Sequence, residues 1–177
     1  MTRLRNIFVS TTFAEDDSKI SDVLAECKKE NISNVELGSN HIYEKNFKKI
    51  IQQYNFRFLV HNYFPIPRKS FVVNIASLNK QIRTISIQHV KKAINFCKDT
   101  NSKLYTVHPG FLTDPITASR TKNNYDFIWN NNNLNKNYNL AFNNMLSSLK
   151  KIVHFAKDKK VRVAIETEGS FKKKIYY

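Results

Sequence analysis

The sequence predicts an α/β fold built on a parallel sheet, and three of its features lead to that prediction. Five short apolar runs rich in β-branched and aromatic residues recur along the chain. Longer segments with apolar residues at helical spacing separate these runs. Each run is apolar almost throughout, as in strands that are buried on both faces of a sheet by helices.

The five apolar runs are the predicted strands. In chain order they are residues 6–13, 33–38, 56–64, 103–108 and 161–166. Runs of this length, bounded by turn residues and rich in β-branched side chains, are typical of strands rather than of helices.

Four segments between the strands carry apolar residues at i, i+3, i+4 and i+7, the spacing of one helix face. Their stripes are Ile20, Val23, Leu24 and Cys27; Phe47, Ile50, Ile51 and Tyr54; Val90, Ala93, Ile94 and Cys97; and Phe142, Met145, Leu146, Leu149, Ile152, Val153 and Ala156. Both cysteines lie on these stripes, so we expect reduced core residues. His89 and His154 fall within predicted helices and are interpreted as ordinary surface or boundary residues.

An unusually long connection precedes the fourth predicted helix. It contains the Asn-rich segment 123–144, and we expect a loop over residues 111–140. Its aromatic residues Tyr125, Phe127 and Trp129 could cap a site, but anchoring of the loop on the surface is favoured. Residues 1–177, with this loop included, are predicted to form a single domain.

The chain is strongly basic, with 29 Lys and Arg against 14 Asp and Glu and a net charge of +15. Such a charge favours nucleic-acid binding when the cations are clustered on one surface. Here pairs such as Lys48-Lys49 and Lys150-Lys151 fall on the outer faces of predicted helices, where cations are solvated. A nucleic-acid partner therefore ranks below a small molecule.

No stretch approaches the roughly 20 apolar residues that a membrane span needs. The amino-terminal residues also lack the pattern of a signal peptide. We therefore expect a cytoplasmic protein with no membrane partner.

Polar side chains end three of the predicted strands. His61 ends the third strand, His108 the fourth and Glu166 the fifth. In a doubly wound sheet and in a (β/α)₈ barrel alike, the carboxyl ends of parallel strands form the functional face, so both architectures stay open here. Two imidazoles and a carboxylate suit Zn²⁺, Mn²⁺ or Fe²⁺. The sequence thus predicts a divalent metal site at these three residues.

Five stretches carry a more specific signal: FLVHNYF (58–64), NIAS (74–77), SIQHVKKAINFC (86–97), TVHPGF (106–111) and VAIETEG (163–169). In that order they resemble the xylose isomerase-like TIM barrels, which include sugar phosphate isomerases/epimerases and endonuclease IV. The resemblance implies a TIM-barrel type of parallel (β/α) fold with a divalent metal at its carboxyl face. It also implies His61, His108 and Glu166 as ligands.

One further stretch, VELGSNHIY (35–43), is more similar to the sugar isomerase/epimerase branch. That likeness implies that Glu36 and His41 lie near the substrate, and we add Asn62 to the predicted substrate-binding residues. The endonuclease branch typically follows its glutamate with an amide residue, whereas a threonine and a second glutamate follow Glu166 here.

The resemblance implies a metal-dependent isomerase or epimerase of a sugar or sugar phosphate. In that chemistry Glu166 is a metal ligand and the base that removes a proton next to a carbonyl. Two alternatives remain open: an endonuclease IV-like enzyme that cleaves DNA at abasic sites, and a non-catalytic remnant of the fold.

Members of the superfamily continue through three strands beyond the fifth. We therefore expect an incomplete barrel of about five of the eight strand-helix units, and a fragment or truncated product. The first and fifth strands would then have unpaired edges, which favours an oligomer through those edges.

Overall fold

The strands of the main sheet are separated by helices along the chain, as predicted. The computed structural model describes residues 7–15, 17–121, 124–129 and 138–166. Its strands are β1 (Val9–Ser10), β2 (Asn34–Leu37), β3 (Arg57–His61), β4 (Leu104–Val107), β5 (Pro115–Thr121), β6 (Asn124–Trp129) and β7 (Arg162–Ile165). Its helices are a 3₁₀ turn (Thr11–Phe13), α1 (Ile20–Lys29), α2 (Phe47–Gln52), α3 (Lys80–Asp99) and α4 (Tyr138–Asp158).

The main sheet has five parallel strands in the order β1-β2-β3-β4-β7, which confirms the predicted α/β class with a parallel sheet. Within the described residues, β1 pairs with β2 alone and β7 with β4 alone. The sheet is therefore open, as predicted for an incomplete TIM-barrel type of fold. Association through its two edges stays a prediction.

The helices cover one face of this sheet. Alternate strand residues point to them and are buried: Val35, Leu37, Phe58, Val60, Tyr105 and Val107. The intervening residues of β2, β3 and β4 are only partly buried, apart from the exposed Arg57. Burial therefore alternates along these strands, whereas the apolar runs predicted burial on both faces. The reason is that the open sheet does not enclose its second face.

The predicted helix stripes form the core to different extents. Ile20, Val23, Leu24 and Cys27 of α1 are all buried, as are Val90, Ala93, Ile94 and Cys97 of α3. Both cysteines are free thiols. In α4, Ile152 and Ala156 are buried, but Phe142, Leu146 and Val153 are exposed. The apolar stripe of α4 is therefore wider than the surface that the described residues cover.

Within the segment predicted as a loop, 111–140, the structure contains a β-hairpin. Strands β5 and β6 pair antiparallel, with Ala118 opposite Phe127 and Thr121 opposite Asn124. Helix α4 then begins at Tyr138. The hairpin forms its own two-stranded sheet and leaves the order of the main sheet unchanged.

One histidine lies where the sequence did not place it. His89, interpreted as a surface or boundary residue, is buried between the rings of Tyr63 and Phe71, at ring-centroid distances of 5.4 and 5.6 Å. His154 on α4 is exposed, as expected. None of the described helices is both long and apolar enough to cross a membrane.

Candidate metal centre

The carboxyl ends of three neighbouring strands bring together the side chains of His61, His108 and Glu166. His61 is the last residue of β3, and His108 and Glu166 directly follow β4 and β7. Backbone hydrogen bonds hold the three strand ends side by side: the N–H of Glu166 donates to the carbonyl of Val107, and the N–H of Asn62 donates to the carbonyl of Thr106. The convergence expected from the sequence is therefore present.

The donor atoms of these three side chains lie within 4.8 Å of one another. Nδ1 of His61 is 3.3 Å from Oε2 of Glu166, and Nε2 of His108 is 3.6 Å from the same oxygen. The two imidazole rings meet edge to face, with centroids 5.3 Å apart at an interplanar angle of 77°. Both histidines are mostly buried and Glu166 is about half exposed, so the cluster opens to solvent on the side of the carboxylate.

This geometry fits a divalent transition metal. Zinc binds imidazole nitrogen and carboxylate oxygen at about 2.0–2.2 Å, which places two donors of a tetrahedral site about 3.4 Å apart. The two separations from Oε2 of Glu166 are close to that value. The donor set of two nitrogens and one oxygen also suits Mn²⁺ or Fe²⁺. The role of the three residues as ligands stays a prediction.

Thr106 is a member of this site that the sequence analysis missed. Its hydroxyl lies 2.8 Å from Nδ1 of His61, and the two residues are register partners in β3 and β4. A signal was present, because Thr106 precedes His108 by two residues in a strand and so projects from the same face. The hydroxyl limits the rotation of the His61 ring.

Asn62, predicted to bind substrate, lies between the ends of β3 and β4. Its φ of 30° turns the chain out of β3, and its carbonyl accepts a 2.7 Å hydrogen bond from the buried hydroxyl of Tyr105. The N–H of His108 donates to the side-chain oxygen of Asn62 over 3.5 Å. These contacts join the two strand ends, and its role in substrate binding stays a prediction.

Glu36 and His41, the other predicted substrate-binding residues, do not belong to this cluster of donor atoms. Glu36 lies in β2 opposite Ser10 of β1 and is partly buried. His41 is buried, and its Nε2 lies 2.7 Å from the hydroxyl of Thr11, which also accepts from the N–H of Gly38. Burial lowers the pKa of His41. Their assignment to substrate stays a prediction.

The sequence matches the family described as xylose isomerase-like TIM barrel over residues 17–176. A curated relative, an uncharacterized protein of Methanocaldococcus jannaschii, is 22% identical over 138 residues, which are 76% of this chain and 39% of that protein. The chain therefore spans well under half of this relative's length.

Solved structures share the fold at low sequence identity. A D-tagatose 3-epimerase-like protein has a TM-score of 0.63 at 20% identity, over 93% of this chain and 53% of that one. D-allulose 3-epimerase from Methylomonas sp., solved with D-allulose, has a TM-score of 0.55 at 10% identity, over 90% and 50%. A Thermus thermophilus protein soaked with ZnCl₂ has a TM-score of 0.53 at 11% identity, over 90% and 54%. This chain thus covers about half of each.

Proposed function

The chain belongs to the xylose isomerase-like TIM barrel family, and on that premise we propose that it acts in metal-dependent isomerisation or epimerisation of a sugar or sugar phosphate. The observation that carries the proposal is the convergence of His61, His108 and Glu166 at the carboxyl ends of three neighbouring strands. Active sites of TIM barrels lie at this face.

The proposed metal ligands are a ring nitrogen of His61, Nε2 of His108 and Oε2 of Glu166. These atoms face one another in the structure, and their separations support a single ion among them. Ligation through Nδ1 of His61 would require the hydroxyl of Thr106, 2.8 Å from this nitrogen, to turn away. A divalent ion at this place would polarise the carbonyl group of the substrate.

Glu166 is the proposed base. Both histidine contacts go to its Oε2, so we assign proton transfer to Oε1. Oε1 would accept the proton from the carbon next to the carbonyl, and the electron pair of the broken C–H bond would move towards the carbonyl oxygen. Glu166 would return the proton to the neighbouring carbon, while a second proton moves between the two oxygens, and this gives the isomer. Epimerisation would need a second acid on the opposite face of the substrate, which would protonate the original carbon while Glu166 keeps the proton it removed. The exposure of Glu166 supports this role, because a substrate can reach its carboxylate.

Ketohexoses are the first substrates to test, because a structural relative is a D-allulose 3-epimerase solved with D-allulose. We expect the chain, supplied with Mn²⁺ or Zn²⁺, to exchange the hydrogen next to the carbonyl of D-allulose for deuterium in D₂O. Proton NMR measures that exchange directly, even when turnover to a second sugar is slow. Chelation of the metal should stop it. Exchange that continues unchanged in the chelator would contradict the metal-dependent proposal.

The same preparation separates this proposal from the endonuclease alternative. Here we expect no incision of a duplex that contains an abasic site, under the metal conditions that support exchange. Incision that disappears in Glu166→Gln, without any exchange on ketoses or their phosphates, would make the endonuclease assignment the better one.

A further inference from the structure

Two loops at the carboxyl face are joined by the side chain of Asn74, which is fully buried. Asn74 lies in the connection from β3 to α3, whereas its partners lie in the turn that follows β4. Its Oδ1 accepts from the N–H of Phe111 at 2.9 Å, and its Nδ2 donates to the carbonyl of Phe111 at 3.2 Å. Nδ2 also donates to Oδ1 of Asp114 at 2.8 Å. One amide therefore fixes both backbone groups of Phe111.

The backbone conformation of the turn after His108 allows this close contact with Asn74. Gly110 has a φ of +105°, a conformation that residues with a Cβ rarely adopt. A Cβ at this position would lie 2.6 Å from Oδ1 of Asn74 and 2.9 Å from the backbone nitrogen of Ala76. The path of the chain from His108 to Phe111 thus depends on close contact with Asn74.

A second set of hydrogen bonds holds Asn74 in place. Its Oδ1 accepts from the N–H of Ala76 at 3.0 Å, and its own N–H donates to the hydroxyl of Ser86 on α3 at 2.9 Å. The carboxylate of Asp114 also accepts from the hydroxyl of Ser77 at 2.6 Å. A buried amide with all its polar atoms satisfied has one stable orientation, so the turn is tied to α3.

We propose that Asn74 is a positioning residue for His108, which it holds in the candidate metal centre through the Pro109–Phe111 turn. His108 lies three residues before Phe111. The N–H of His108 donates to Asn62 over 3.5 Å, a long bond, whereas Asn74 binds both backbone groups of Phe111 at 2.9 and 3.2 Å. The part of this inference that concerns metal binding rests on the proposed function. The part that concerns the position of the His108 side chain can be tested without metal.

The selective variant is Asn74→Ser. A serine hydroxyl is able to keep the local bond to the N–H of Ala76, because serine forms the same kind of turn as asparagine. It is too short to reach Phe111 or Asp114. In the metal-free 177-residue chain, we expect the imidazole NMR signals of His108 to shift or broaden, with a smaller change at His61. Affinity for Co²⁺ should fall by about 10- to 100-fold, the usual effect of losing support for a ligand.

Asn79→Ala is the matched control. Asn79 is also a loop asparagine that accepts from two backbone N–H groups, those of Gln81 and Ile82, but it caps α3 and has no bond to the turn. The control should lose stability without moving the His108 signals or the Co²⁺ affinity. If Asn74→Ser does not fold, Asp114→Ala removes one bond of the same amide, and we expect a smaller shift at His108.

The outcomes separate this inference from the proposed function. His108 signals that stay in place in a folded Asn74→Ser or Asp114→Ala variant would overturn the positioning role, whether or not the wild type binds Co²⁺. Equal effects of Asn74→Ser and Asn79→Ala on His108 would overturn it too. A wild-type chain that binds no Co²⁺, together with a displaced His108 in Asn74→Ser, would support positioning and contradict the proposed function.

Discussion

Replacement of Glu166 by glutamine is expected to lower the rate of deuterium exchange on a ketose by about 10²- to 10⁴-fold, the usual contribution of a general base. Glutamine has nearly the same shape as glutamate, but its amide does not accept the proton. It is also a weaker metal ligand than a carboxylate, so the comparison is made at saturating metal for both proteins. NMR-detected exchange in D₂O gives the two rates.

Glu26→Gln is the control for this experiment. Glu26 lies on the exposed side of α1, where it contacts Lys29 at 3.1 Å. It does not belong to the cluster of donor atoms at the strand ends. Its replacement removes the same charge and should leave the exchange rate unchanged. An exchange rate in Glu166→Gln equal to that of Glu26→Gln would rule out Glu166 as the base.

A fall in pH from about 7.5 to about 5 is expected to cost about 2 kcal/mol of folding free energy through His89 alone. The pKa of His89 is lowered to about 4, mainly by burial; the backbone of Tyr63 opposes this shift and the Lys92 cation adds to it. In the unfolded chain the pKa is about 6.5. The unfolded state therefore binds the proton first, and stability is lost as pH falls from about 6.5 towards 4.

Urea unfolding at both pH values measures this effect, with His89→Leu as the variant that lacks the titrating group. The loss of stability between the two pH values should be smaller in His89→Leu by about 2 kcal/mol. His154→Leu is the control, because this histidine is exposed on α4 and stays in water in both states. A pH dependence that is the same in all three proteins would contradict the prediction.

The burial of His89 shows where sequence patterns fall short. His89 lies three residues after Ser86 and four before Ala93, both buried, and this spacing indicates a position on the core side of α3. The polar imidazole ring instead favoured a position at the surface. Tyr63 and Phe71, which come from the connection after β3, complete its surroundings, and no local pattern predicts that contact.

The meeting of the strand ends was predictable from local sequence patterns, whereas the contacts of Asn74 were not. His61, His108 and Glu166 each end an apolar run, and parallel pairing alone brings such ends together. Asn74 lies in no strand or helix, and its hydrogen bonds join residues 37 and 40 positions away. Contacts of this kind depend on loop paths that apolar periodicity does not describe.

The β5–β6 hairpin was not predicted because of the composition of this part of the chain. Asparagine is depleted in strands, and the Asn-rich segment 123–144 was therefore interpreted as a loop. The hairpin forms by local antiparallel pairing between Pro115–Thr121 and Asn124–Trp129, which needs only a short turn. Its register contains a shift between Pro115 and Thr117, an irregularity that alternation in the sequence does not reveal.

X-ray absorption at the zinc edge, on the 177-residue chain loaded with one equivalent of Zn²⁺, identifies the donor atoms of the proposed metal centre. We expect a shell of nitrogen and oxygen donors at about 2.0–2.2 Å, with the multiple-scattering pattern of two imidazoles. Sulfur is not expected, because Cys27 and Cys97 are buried in the core. A Zn–S distance of about 2.3 Å, or a shell without imidazole, would contradict a metal centre at His61, His108 and Glu166.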